Sequence, residues 1–323
     1  MRRAGSLVAF IAVLVIGVQG AAAASSSSHH ARHAIGGVVP SHLLHAGIRT
    51  AFRRTSNLVY HSGGSVQTAS PRKTYAIFWG ASFETGYQSL IDQYFGDVGH
   101  DSGQNTNVYA NNSQYYQTIG GTTTYIPYNQ AFGASWSDPT NPTTSGCSST
   151  AGGMVACVSD AQIQQEVEKA VAANGWSEGL GNEFFVFLGD GISTCSGSSC
   201  FVSQFCAYHG YFTDSNTGQT TLYANMPYTG YSLAACGSGQ YPNNNSAGDS
   251  TINVTSHENN ETITDPLLNA WYDRSGNEIG DKCAWNFGSS TKGTYGNYNQ
   301  TINGHEYYLQ GEWSNAKSGC VWT

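Results

Sequence analysis

The sequence predicts one α+β domain that is built on a mixed sheet and held together by disulfide bonds. Short apolar runs typical of strands alternate with runs of helical spacing, eight cysteines all follow residue 146, and no internal repeat is visible. An ordered body of about 250 residues with such short elements suits a single domain, in one or two lobes.

The first 24 residues have the layout of a cleaved secretory signal peptide. Arg2 and Arg3 form a positively charged n-region, and residues 7–18 form a short apolar h-region. Residues 21–24 supply small side chains for signal peptidase. The apolar stretch is shorter than the roughly 20 residues that span a bilayer. We therefore expect residues 1–24 to be removed during secretion, with no membrane attachment afterwards.

Residues 25–55 are predicted to be a basic linker or prosegment. They open with serines and histidines and end in Arg53-Arg54, and the stretch 25–73 contains no acidic residue. This composition suits both a disordered spacer and a prosegment that docks on the rest of the chain through its charge. Residues 56–323 are then the extracellular domain, with order beginning near Leu58.

Charge is segregated along the chain. All 21 acidic residues follow position 73, where only five basic residues accompany them, and this part has a formal charge of −16. Phosphate binding needs a basic surface, which argues against nucleic acid as a partner. The acidic body instead suits a protein that binds cations or neutral polymers.

Apolar runs bounded by proline or glycine predict buried strands, and apolar residues at helical spacing predict helices. In the clearest helix, Ile163, Val167 and Val171 recur four apart, and Gly175 provides a stop. The predicted strands are 73–79, 184–188, 206–212 and 221–226, and the predicted helices are 89–95 and 160–173.

The cysteines predict up to four disulfide bonds in an oxidising compartment. A zinc knuckle needs a repeated C-x-x-C spacing, and that spacing does not occur. The sequence does not determine connectivity, and pairing between sequence neighbours is a guess. The pairs would be Cys147–Cys157, Cys195–Cys200, Cys206–Cys236 and Cys283–Cys320.

The segment His257-Glu258-Asn-Asn-Glu261 carries the residue types of a metal-dependent hydrolase. Residues four apart share one face of a helix, so His257 and Glu261 can converge on one metal ion. Glu258 adjoins them and is placed to take a proton from water on that metal. The spacing matches the H-E-x-x-H metalloproteases, with Glu261 in place of the second histidine.

A third protein ligand is expected from the acidic loop after this helix. Glu278 and Asp281 are the main candidates, and Asp265 and Asp273 are weaker ones. A bridged Cys283 would fix the loop against the rest of the fold. Zinc is the first choice of cofactor, and the carboxylate-rich set makes calcium the alternative.

Several short motifs, in order along the chain, carry a resemblance to a known family. They are 58–64, 75–80, 256–258 with 264–266, 269–272, 278–283, and 307–315 with Cys320. In these motifs the chain resembles the phosphate-induced protein 1 (EXORDIUM-like) family, and more closely its secreted bacterial and fungal relatives. The resemblance implies an extracellular protein, associated with the cell wall in plants, and defines no activity.

The predicted order of helix, strand, edge strand at 222–227 and His-Glu helix also resembles the zincin metallopeptidases. That resemblance implies a zincin-like domain with an active-site helix.

Two functions fit these features. The first is a secreted zinc metallopeptidase acting on extracellular protein or peptide, in which Glu258 is the general base and His209, His305 or a tyrosine stabilises the oxyanion. The second is a non-catalytic extracellular protein with a structural metal site, which binds a wall polymer or carbohydrate through its 20 Tyr and seven Trp. The sequence leaves the substrate and the oligomeric state open.

Overall fold

A computed structural model describes residues 37–41, 56–143, 146–148 and 153–323. These residues all belong to one of the two units into which the chain divides, Arg32–Thr323. The predicted signal peptide, 1–24, lies outside the described residues, as does most of the predicted linker, 25–55.

Strands alternate with four α-helices in the described part of the chain. The strands are β1 (Val59–Tyr60), β2 (Arg72–Trp79), β3 (Tyr116–Ile119), β4 (Thr122–Tyr125), β5 (Gln130–Asp138), β6 (Ala156–Ser159), β7 (Asn182–Leu188), β8 (Ile192–Ser196), β9 (Ser199–Cys200), β10 (Tyr208–Thr213), β11 (Thr220–Met226), β12 (Trp271–Tyr272), β13 (Thr291–Lys292), β14 (Asn297–Tyr298), β15 (Gln300–Ile302), β16 (His305–Tyr307), β17 (Glu312–Ser314) and β18 (Gly319–Val321). The helices are α1 (Tyr87–His100), α2 (Asp160–Asn174), α3 (Leu233–Cys236) and α4 (Ser246–Thr264), and 3-10 turns span Val108–Gln114, Thr229–Ser232 and Asp281–Cys283.

A five-stranded mixed sheet of order β10-β11-β7-β2-β5 forms the centre of the fold. β11, β7, β2 and β5 run parallel, and β10 pairs antiparallel with β11 at one edge. β2 and β7 are buried over most of their length, which explains their nearly continuous apolar sequences. The prediction of an α+β fold with a mixed sheet is confirmed.

The edge of this sheet differs from the sequence prediction. The strand expected at the edge near 222–227 is β11, which lies one position inside, and β10 forms the edge beyond it. A tight connection folds β10 back along β11, so that Tyr208 pairs with Asn225 and Thr213 with Thr220. The antiparallel hairpin therefore places the residues just before and within β10 beside α4.

Helix α2 has the ends that its sequence predicts. Ser159 and Gln162 form a capping box at its start, and Gly175 ends it at a φ of 64°, which glycine adopts without strain. Ile163, Val167 and Val171 are buried, as their spacing predicted.

Helix α4 is unusual because it is both polar and buried. Asn245 caps its start by accepting the N–H of Gly248 at 2.7 Å. Every residue from Ala247 to Thr264 is buried, although most of them are polar or charged. The helix packs against α1 and against the β10–β11 hairpin, so its polar side chains must find partners inside the protein.

All eight cysteines are paired, and the pairs are the four between sequence neighbours. Cys206–Cys236 ties the segment before β10 to α3, and Cys283–Cys320 ties the acidic loop to β18. These disulfides are consistent with an extracellular protein. Among the described residues, no helix combines the length and hydrophobicity needed to cross a membrane.

Titration of the denatured, unreduced protein should therefore find essentially no free thiol. Replacing Cys283 and Cys320 together by serine should lower the free energy of unfolding by about 2–4 kcal/mol, because the disulfide constrains the unfolded chain. Chemical denaturation of both proteins measures this difference. Two or more free thiols in the unmodified chain would contradict the pairing.

Candidate metal centre

Helix α4 brings two of the predicted ligands together at the centre of the protein. His257 Nε2 lies 2.9 Å from Glu261 Oε1, one helical turn away. Both side chains are fully buried, as is Glu258 between them in sequence. Glu258 points to a different side, toward β10, because adjacent residues on a helix are about 100° apart.

The acidic loop after α4 reaches the same cluster. The backbone N–H of Asp281 donates to Glu261 Oε1 at 2.9 Å, and Asp281 Oδ1 lies 3.9 Å from His257 Nε2. Glu278 Oε1 lies 3.7 Å from Nε2 of a second histidine, His209. Both candidates for the third ligand are thus beside α4, on different sides of the cluster.

His209 also belongs to the cluster, although the sequence did not predict it as a ligand. It was only one of several candidates for stabilising the oxyanion. It lies on β10, with Nδ1 3.1 Å from Glu258 Oε2 and 3.6 Å from Glu261 Oε2. No local spacing could have found it, because 48 residues separate it from His257. Only the pairing of β10 at the sheet edge brings the two histidines together.

Three other sequence candidates have different roles. Asp265 Oδ1 accepts the N–H groups of Asn269 and Ala270, which closes the turn after α4. Asp273 pairs with Lys282 at 3.2 Å and braces the loop. His305 lies elsewhere, with Nδ1 2.8 Å from Asp97 Oδ2.

The cluster contains buried polar atoms that have no hydrogen-bond partner among the described residues. They are His209 Nε2, Glu261 Oε2 and Glu278 Oε1. Buried polar atoms are nearly always bonded, and imidazole nitrogens and carboxylate oxygens are common metal ligands. A cation among these atoms would satisfy them, so the residues fit a metal centre.

Two groups of three residues are spaced to hold such an ion. His257, Glu261 and Asp281 form one, and His209, Glu258 and Glu261 form the other, with the ligand atoms of each group within 4.8 Å of one another. A third group contains Cys147, Cys157 and Cys195, whose sulfurs are committed to disulfides. The metal cluster thus combines two imidazoles with carboxylates, and its residues do not decide the identity of the metal.

The electrostatics of the cluster favour positive charge. Burial raises the pKa of Glu278 well above its usual range, and the charges of Glu261 and Asp281 add to the effect. Burial lowers the pKa of His257, but the nearby carboxylates, Glu261 first, outweigh it and raise that pKa to about 10. The surrounding acids therefore hold a proton on the imidazole strongly, and a metal cation would take the place of that proton.

Outer residues hold the His257 ring in place. Gln310 Nε2 lies 2.8 Å from His257 Nδ1 and donates to the carbonyl of Gly280 at 3.0 Å. Gly280 itself packs on the ring, and a Cβ at this position would lie 2.8 Å from Nδ1. Such outer contacts orient a metal-ligating histidine.

No family model, curated protein or solved structure matches the chain. The chemistry of the cluster therefore has to be argued from its own geometry.

We expect the purified protein to bind a divalent metal through His257. His257→Ala should lower the bound metal to a small fraction of the wild-type amount in elemental analysis, because it removes a ligand from the centre of the cluster. His305→Ala is the matched control, since that histidine pairs with Asp97 instead. Equal metal content in both variants would contradict the site.

Gly280→Ala should weaken metal binding by about 10–100-fold, the usual effect of disturbing an outer contact of a metal ligand. The added methyl group would displace the His257 ring without removing any ligand. Gly96→Ala on α1 is the control, because a Cβ there meets no atom within 4 Å. Competition with a chelating dye measures the affinity of each variant, and equal affinities would show that the ring position does not matter.

Proposed function

We propose that this protein is a secreted metal-dependent hydrolase of the zinc metallopeptidase type, with Glu258 as general base. The observation that carries the proposal is the division of α4 between two tasks. His257 and Glu261 face each other and Asp281, and Glu261 also reaches His209 on β10. Glu258 contacts His209 but lies outside the group of His257, Glu261 and Asp281. A ligand set and a separate carboxylate beside it are what metal-assisted hydrolysis requires.

His257, Glu261 and Asp281 would hold the ion, with Glu278 and His209 completing its surroundings. Zinc in such a site acts as a Lewis acid and lowers the pKa of water toward neutrality. Glu258 would take the proton of the attacking water and pass it to the leaving amine. His209 would position Glu258 through its 3.1 Å contact with Oε2.

The second histidine also bears on the choice of metal. Calcium prefers an all-oxygen set, whereas zinc accepts imidazole together with carboxylate. Each of the two groups that could hold an ion contains one histidine, His257 in one and His209 in the other. An imidazole in either group favours zinc over calcium.

The fold supports a zincin-like arrangement and a peptide substrate. In chain order, α2 is followed by the central strand β7, the antiparallel hairpin of β10 and β11, and then α4. The strand predicted at the edge, 222–227, is β11, so β10 takes the edge position in this arrangement. Extended peptides commonly bind proteins by adding to an exposed edge of a sheet. On its short sequence motifs, we propose that the chain is a secreted relative of the EXORDIUM-like family.

A non-catalytic protein that binds a wall polymer or carbohydrate, with a structural metal, is the alternative. An aromatic cluster favours it: Tyr116 contacts Tyr60, Tyr125 and Trp271, with ring centroids 5.2–5.4 Å apart. The Tyr125 side of this cluster is open, since that residue is 58% exposed. Sugars stack on aromatic faces of this kind.

If the protein is a hydrolase, Glu258→Gln should lower turnover of a mixed peptide library by about 10²–10⁴-fold, the usual contribution of a general base. Glutamine keeps the shape of the side chain but cannot accept the proton. Metal content should stay at the wild-type level, because the proposed ligand group of His257, Glu261 and Asp281 does not include Glu258. Glu261→Gln is the comparison, and should lower metal content and turnover together.

Full activity of Glu258→Gln on a substrate that the wild type cleaves would exclude this mechanism. Loss of metal from Glu258→Gln would instead assign that residue to the ligand set. If the zinc-loaded wild type cleaves no peptide in the library, the binding protein becomes the better proposal.

A further inference from the structure

A short piece of the predicted prosegment lies directly on the catalytic carboxylate. The backbone N–H of Val38 donates to Glu258 Oε1 at 3.2 Å. Residues 37–40 are all buried, and Val38 is fully enclosed. This segment is about 220 positions away from α4 along the chain, so the contact is a product of the tertiary fold.

One side of the segment is bound by the residues that lead into β10. The carbonyl of Val38 accepts the N–H of Cys206 at 2.6 Å. Gly37 lies against the next two residues, where a Cβ would meet the carbonyl of Ala207 at 2.2 Å and Cα of Tyr208 at 2.8 Å. Val38 therefore pairs with Cys206 and the preceding residue, Gly37, with the residues that follow Cys206, so the segment runs antiparallel to residues 206–208.

The other side is bound by Trp285. Its indole N–H donates to the carbonyl of Val39 at 2.8 Å. The backbone of Trp285 has a φ of 59°, a left-handed conformation that is strained for a bulky residue and recurs at ligand clamps. At the end of the segment, the hydroxyl of Ser41 donates to the carbonyl of Ala234.

The contacts of the segment do not depend on its charge. Gly37, Val38, Val39, Pro40 and Ser41 carry no ionisable side chain, and three main-chain groups of the segment make the hydrogen bonds to Glu258, Cys206 and Trp285. The charge-driven docking considered for the prosegment therefore does not describe this part of it. The basic residues of 25–55 lie outside the described residues.

We infer that this groove, formed by Glu258, residues 206–208 and Trp285, is a binding site for extended peptides, and that residues 37–41 occupy it as an internal ligand. The inference rests on the proposed hydrolase function, because it takes Glu258 as the group that meets a substrate amide. The backbone N–H of Val38 donates to the Glu258 carboxylate, and a bound peptide substrate would present the same kind of group at this position.

The shape of the groove defines the class of peptide. Backbone hydrogen bonds on both sides suit an extended chain of variable sequence, as in other cases of strand addition. The position of Gly37 accepts only glycine, since any side chain would collide with the main chain of residues 207 and 208. The next two positions hold buried Val side chains, so the preferred ligand is glycine followed by small β-branched residues and proline.

The internal ligand must leave before another peptide can bind, because both use the same hydrogen-bonding groups. Arg53-Arg54 lies between the segment and the body in the sequence, and cleavage there would make the segment a separate chain. Cleavage would also remove the high effective concentration that a covalent link provides.

The test uses the full-length protein with a specific protease site in place of residues 53–54. After cleavage, mass spectrometry under native conditions measures retention of the N-terminal fragment. Fluorescence anisotropy measures binding of a labelled octapeptide with the sequence of residues 34–41. We expect the fragment to be retained after cleavage, to be released by excess octapeptide, and to be replaced by it.

Changes in the octapeptide test each contact without disturbing the fold. N-methylation of the residue that corresponds to Val38 removes the donor to Glu258 and should weaken binding about tenfold, the effect of losing one hydrogen bond to a charged group. Leucine in place of Gly37 should abolish binding, and a scrambled octapeptide should not bind. On the protein, Trp285→Phe should weaken binding while Trp136→Phe, on the opposite edge strand β5, should leave it unchanged.

Loss of the fragment on cleavage with no octapeptide binding would overturn the inference. So would retention that excess octapeptide does not reverse, or binding that neither N-methylation nor leucine affects. These measurements need no turnover, so they test the groove separately from the hydrolase proposal. If the protein binds the octapeptide but hydrolyses no peptide, the peptide-binding groove is supported and the catalytic function is contradicted.

Discussion

The burial of charged side chains on α4 is the constraint on which the rest of the structure depends. His257, Glu258 and Glu261 are all fully enclosed, where an uncompensated charge is strongly unfavourable. The protein supplies His209 and the N–H groups of Val38 and Asp281 as partners. These partners still leave several ligand-type atoms without a hydrogen bond, and a cation could satisfy them.

Buried polar side chains on the other sides of α4 are also paired with partners inside the protein, where they form a hydrogen-bond network. Asn259 donates to Glu183 Oε2 on β7 at 2.6 Å and accepts from Gln130 on β5 at 2.9 Å. Asn260 accepts from Asn112 at 2.7 Å. Specific hydrogen bonds thus fix the helix in the core, and this rigidity keeps the ligand side chains in position.

The candidate metal cluster and the inferred peptide groove share one structural element, the edge of the sheet. The wall of the groove, residues 206–208, continues directly into His209, which contacts Glu258. The Cys206–Cys236 disulfide fixes the start of this wall, and Cys283–Cys320 fixes the loop that carries Asp281. A peptide in the proposed groove and an ion in the cluster would therefore both lie beside Glu258.

The sequence by itself determined the local features: the buried strands, helix α2, the number of disulfides, and the face shared by His257 and Glu261, because each follows from periodicity or spacing within a few residues. Only the tertiary structure decided that His209 joins the cluster, that Asp265 closes a turn instead, and that residues 37–41 cover Glu258. Sheet pairing and loop packing bring these groups together across long separations. Such contacts leave no local pattern in the sequence, because they depend on the shape of the folded core.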